Sequence, residues 1–188
     1  SACQGGEVSN PEYFAAQQRV KNAAVKRHLS FMRESFGGAI TALEAKASAS
    51  PLELANAILR LGDASLLAED YPRANTQYQK AWDLLSQDGE ALAAREQLMG
   101  MPVQVMTGVL DDLIFDRPVA GEALGGIIEF DVTERGEIEN IGIKGSNEDL
   151  AKDNLGAIAI KLDQTKFRPR ISEGKPIVAR VLVNAADL

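Results

Sequence analysis

Near residue 118 the apolar residues of this chain change their period, and that change limits what it can fold into. Before it, Val25, Leu29, Met32 and Phe36 recur at steps of four, three and four, the stripe of an amphipathic helix. After it, Ile128, Phe130 and Val132 alternate with Glu129 and Asp131, the pattern of a strand buried on one face. Helical sequence that precedes the strands, instead of alternating with them, is expected to give an α+β protein. The chain divides into an N-terminus at 1–10 expected to be disordered, a helical region at 11–100, a linker at 101–117 and a small α+β domain at 118–188. With 188 residues and 45% hydrophobic content it can bury a core, as one generous domain or two small ones.

Within the helical region, Gly37-Gly38 is expected to break or bend the first helix, leaving a short segment with Ile40 and Leu43. The next start is well marked. Ser50 can cap, Pro51 fits the first helical position, and Glu53 stands where a capping box places its carboxylate. Farther on, Leu61-Gly62 is followed by Tyr71, Ala74, Tyr78 and Ala81. This spacing, over about 55–87, resembles a tetratricopeptide repeat, a pair of antiparallel helices. The resemblance implies close approach at Gly62 and Ala74, ring filling by Tyr71 and Tyr78, and a turn at Asp70-Tyr71-Pro72. Glu69 stands where that family commonly has glycine, and Ser86 where it commonly has proline. Trp82 reads as packing material, and His28, in the run Lys26-Arg27-His28, as a solvated side chain.

In the second half, Glu134-Arg135-Gly136-Glu137 is expected to turn a hairpin, with Ile138, Ile141 and Ile143 on the returning strand. Ser146 or Asn147 then caps a helix over 148–163 whose apolar face runs Leu150, Leu155, Ile158, Leu162. A third strand, Ile177 to Val183, alternates Ile177, Ala179, Val181 and Val183. One helix on a three-stranded antiparallel sheet is the expected architecture.

The run from Gly126 to Ile138, then Phe167-Arg168-Pro169-Arg170, then Gly174-Lys175-Pro176-Ile177-Val178-Ala179-Arg180-Val181, resembles the TonB C-terminal domain family over about 118–184. The family's Tyr-Pro pair before the first strand is absent, and Arg117-Pro118 stands near that place. The resemblance implies a periplasmic domain that takes up a segment of an outer-membrane transporter by strand addition. The third strand would lie at or beside an open sheet edge, which puts Ile177, Val178, Ala179, Arg180 and Val181 at the binding edge. Arg168 and Arg170, with Lys166 and Lys175, form a basic cluster suited to an acidic peptide.

Composition narrows the chemistry. A net charge of −7 argues against nonspecific binding to nucleic acid or to an anionic membrane surface. One Cys excludes an internal disulfide and a cysteine-based metal cluster, and one His leaves little for histidine catalysis. Asp111, Asp112 and Asp116 lack the alternating ligands and distal Glu of a calcium loop, and Gly125-Gly126 lacks the Lys of a phosphate loop. No enzyme activity and no cofactor are expected. Ser1-Ala2-Cys3 resembles the end of a bacterial lipobox, making Cys3 a lipidation candidate and the cell envelope the expected place, with any membrane contact through that lipid. The first expectation for function is a TonB-type envelope protein linked to transport. The second is a periplasmic tetratricopeptide adaptor or assembly protein whose sheet domain docks or forms a homodimer.

Overall fold

The computed structural model describes residues 11–86, 90–105, 127–144, 162 and 165–184. The fold is α+β: among the described residues, four N-terminal helices are followed by antiparallel strands. Helix α1 spans Pro11–Glu44, α2 Pro51–Leu67, α3 Tyr71–Leu85 and α4 Glu90–Met99. Of the break or bend expected at Gly37-Gly38, the break does not occur: α1 is one helix of 34 residues. Each glycine costs about 1 kcal/mol of helix propensity, and that is outweighed where flanking residues are held, with Leu29 buried before the pair and Ile40 packed on the core after it.

The capping box at the start of α2 is present as expected. Ser50 Oγ accepts from the Glu53 amide at 3.1 Å, and the Ser50 amide donates to Glu53 Oε2 at 3.0 Å. Helices α2 and α3 form a hairpin around a close approach at Gly62. A β-carbon there would stand 2.6 Å from Tyr78 Cε1, so only a residue without one lets the fully buried Tyr78 ring lie against α2. Asp70 caps α3 and also pairs with Arg33 of α1 at 3.3 Å, so the same turn holds three helices. Glu69, at the position where the repeat pattern commonly has glycine, adopts a left-handed backbone with φ 59°.

Strand β1 is Val103–Gln104, inside the stretch expected to be linker, and it pairs antiparallel with β4, Phe167–Arg168. The strands β2 (Ile127–Val132), β3 (Ile138–Lys144) and β7 (Ala179–Asn184) form the expected three-stranded antiparallel sheet, in the order β3-β2-β7. A small hairpin joins β5, Arg170–Ser172, to β6, Lys175–Ile177. The third strand read from the sequence is thus divided at Val178, with Ile177 on β6 and the rest on β7. The expected helix over 148–163 lies outside the described residues except at Leu162. That side chain is buried with Ile128, Phe130, Val132 and Phe167 under the sheet.

The second half is seated on the helices. Ile171 of β5 belongs to the same buried cluster as Ile58, Leu59, Tyr78 and Leu85. Gly136, at φ 71° in the hairpin turn between β2 and β3, accepts from the Phe167 amide at 3.1 Å and lies against Leu66 of α2.

Candidate functional site

The sheet presents two unlike faces. Toward the core, Val181 and Val183 of β7 pack with Phe130, whose ring meets Phe167 with centroids 5.5 Å apart. Toward solvent, charged side chains pair across strands. Arg180 Nε donates to Asp131 Oδ1 at 2.8 Å and Arg180 Nη2 to Asp131 Oδ2 at 3.0 Å, a fork on a carboxylate. Asn140, itself at φ 54° beside a register shift in the β2–β3 pairing, donates to Asp131 Oδ2 at 2.9 Å. These hydrogen bonds, Arg180's first and Asn140's second, hold the Asp131 carboxyl down at about 2. Lys144 meets Glu129 at 2.6 Å on the same face.

Strand β7 pairs with β2 along its whole length, from Ile127 opposite Asn184 to Val132 opposite Ala179. Among the described residues no strand pairs with its other side. Alternate amides and carbonyls of an antiparallel strand point away from its partner, so β7 offers a row of backbone groups to an incoming chain. Two apolar side chains flank this edge in solvent: Leu182 is 62% exposed and Val178 57%. The expected binding residues are therefore distributed as follows. Ala179, Arg180 and Val181 lie on the edge strand, Val178 enters it, and Ile177 belongs to the β5–β6 hairpin. Arg180 is committed to Asp131.

The expected basic patch does not form around Arg168. That side chain turns inward and is only 7% exposed. Its Nε donates to Asp63 Oδ1 at 2.8 Å, its Nη2 to Asp63 Oδ2 at 2.6 Å, and its Nη1 to the Leu98 carbonyl at 2.9 Å. Tyr78 completes the cluster by donating to Asp63 Oδ1 at 3.1 Å. Burial first, and the adjacent Asp63 charge second, push the Tyr78 phenol well above its usual value, so it stays a donor. A buried carboxylate without these three donors would be severely destabilised. Arg170 and Lys175 remain exposed on the small hairpin, and Lys166 pairs with Glu137 at 3.2 Å.

Sequence reasoning missed the Asp63–Arg168 pair, whose members stand 105 residues apart. One signal was available: Asp63 interrupts an otherwise apolar and small run, Leu61 to Leu66 on α2, where every residue is buried. Trp82 does pack on the core, with the Arg95 guanidinium 4.2 Å from its ring centroid. His28 is half-buried on α1. Cys3, the three aspartates at 111, 112 and 116, and Gly125-Gly126 lie outside the described residues. Among the described residues no group of His, Cys, Asp or Glu is arranged to hold a metal ion, and no helix is long and apolar enough to cross a membrane.

Comparison with protein-family models, with curated proteins and with solved structures returns no match. The geometry of the chain itself carries the functional argument.

Proposed function

We propose that this chain is a non-enzymatic protein of the bacterial cell envelope, of the TonB type, that takes up an extended peptide by strand addition along β7. The observation that carries the reading is the edge position of β7 in the order β3-β2-β7. Backbone pairing there supplies affinity, and Val178 and Leu182 offer apolar contact to alternate side chains of the incoming strand. Arg180 contributes little recognition of its own, because its guanidinium is already engaged by Asp131. In the full proposal the peptide belongs to an outer-membrane transporter, the link is to transport energy, and a lipid on Cys3 provides the tether.

Binding of synthetic extended peptides, followed by amide chemical shifts, tests this reading. Shifts should concentrate on 178–184, and N-methylation of alternate peptide amides should abolish them. Shifts that avoid β7, or that survive N-methylation, would overturn strand addition.

The adaptor reading has its own supporting observation. Ile171 and Arg168 seat the strand region on α2, α3 and α4, so the two halves can act as one docking body. If a second copy uses β7 instead, light scattering will show a concentration-dependent dimer that Val181→Pro disrupts.

A further inference from the structure

Helices α1, α2 and α4 and the β1–β4 pair enclose an open pocket of about 390 Å3, within the range of small-molecule sites. Met32, Phe36 and Leu98 supply apolar wall, and Arg60, Asp63 and Arg168 supply charge. Asp63 is the only carboxylate among the described lining residues, and it is fully engaged: both oxygens accept from Arg168 and one also from Tyr78. Arg168 has five N–H donors and uses three of them, two on Asp63 and one on the Leu98 carbonyl. One N–H therefore remains on each Nη. Arg60 stands one helical turn before Asp63, is exposed, and makes no hydrogen bond or ion pair with any described residue. The described lining residues thus carry two guanidiniums against one carboxylate, a net charge of +1.

We propose that this pocket binds a monocarboxylate with a short apolar body. Arg60 takes the carboxylate, aided by the spare N–H groups of Arg168, and Met32, Phe36 and Leu98 take the apolar part. A single negative charge matches the lining, whereas a phosphate dianion would exceed it and face Asp63. The carboxylate has two chemical sources, a free small acid or the C-terminus of a peptide. This site does not involve β7 and does not rest on strand addition.

Isothermal titration with octanoate, with octanamide, and with the tetrapeptide Ala-Ala-Val-Leu as free acid or amide tests the proposal. At least one carboxylate should bind, and its amide counterpart should not. Arg60→Gln should weaken that binding about tenfold or more, the usual loss for one charge-assisted hydrogen bond. Arg73→Gln, an exposed arginine outside the pocket with the same change in charge, should leave it unaltered. Binding by octanoate alone assigns a free acid, by the peptide alone a chain terminus, and by both the shared chemistry. Amide shifts in the wild-type protein provide a readout that needs no variant: Arg60 and Leu98 should move on addition of the bound carboxylate. Failure of both carboxylates to bind, equal binding of the amides, or an equal loss in Arg73→Gln would overturn the proposal.

Discussion

Among the described residues two arginine–aspartate forks stand out, alike in chemistry and unlike in how far the arginine is buried. Arg168 and Asp63 meet between the strand region and α2, with side chains 9% and 11% exposed. Arg180 and Asp131 meet on the outer face of the sheet, where the arginine is 56% exposed and the aspartate 15%. Water still solvates the Arg180 guanidinium, so removing Asp131 strands no buried charge. At the first pair water is excluded, and each partner is tolerable only because the other is present. Position in the chain does not explain the contrast, since Arg168 on β4 and Arg180 on β7 both lie in the second half. Burial by α2 and α4 does.

The largest expected effect comes from breaking the buried fork. Asp63→Ala should cost about 3–5 kcal/mol by leaving the Arg168 guanidinium buried without its carboxylate, and urea denaturation measures this. Asp131→Ala, the matching change on the sheet face, should move the denaturation midpoint by only a small fraction of that shift. Equal shifts would break the comparison.

Next in size is Gly136→Ala. At φ 71° an alanine is strained, and its β-carbon would collide with the Phe167 carbonyl and approach Leu66 of α2. A cost of roughly 2–3 kcal/mol is expected in the same assay. It would show that backbone contact at this turn, as well as the fork, joins the halves.

A smaller effect of opposite sign is expected at Glu69. Its left-handed backbone suits glycine, so Glu69→Gly should stabilise by about 0.5–1 kcal/mol, the relief of strain exceeding the added chain entropy. A lower melting temperature in that variant would contradict the strain assigned to this turn.

The forks should also separate by pH. Asp131 is held at about 2 by Arg180 and Asn140. Its contribution is complete above the ordinary carboxylate value near 4 and is lost as pH falls through about 2. The Tyr78 phenol is shifted the other way, upward by burial and by Asp63. Its contribution is complete below about pH 10 and declines as pH rises beyond that. Melting curves should therefore lose an acid limb in Asp131→Asn and an alkaline limb in Tyr78→Phe. A wild-type profile flat at both ends would contradict both assignments.

Features set by neighbours in sequence were legible before the structure. The Ser50–Glu53 capping box, the Gly136 turn and the alternation of Ile128, Phe130 and Val132 each need only a few residues, and all three are present. The close approach of Gly62 was implied by the resemblance to a tetratricopeptide repeat, and the structure sets it against the Tyr78 ring. Gly37-Gly38 misled because propensity is a local term, and packing of Leu29 and Ile40 on either side outweighs it. The β5–β6 hairpin went unread although Glu173-Gly174, both at positive φ, marks its turn between Ile171 and Ile177. Arg168 looked like one member of a surface patch because its carboxylate partner is distant in sequence and carries no motif. Of the candidate site, the alternation of β7 was readable, whereas its edge position came from resemblance and the pocket beside Arg60 had no signal at all.

The long separation between Asp63 and Arg168 also sets an order of events during synthesis. Contacts within α2 and α3 span few residues and can close early, whereas the arginine emerges 105 residues after the aspartate. Until it arrives, a nascent helical hairpin must keep the Asp63 carboxylate in contact with water, and its α2 face cannot seal. Docking of β4 then closes a long loop at the moment that charge is paired. The slow step of folding should accordingly be sensitive to Arg168 and indifferent to Arg180, and a chain halted before residue 168 should remain a loosely packed helical intermediate.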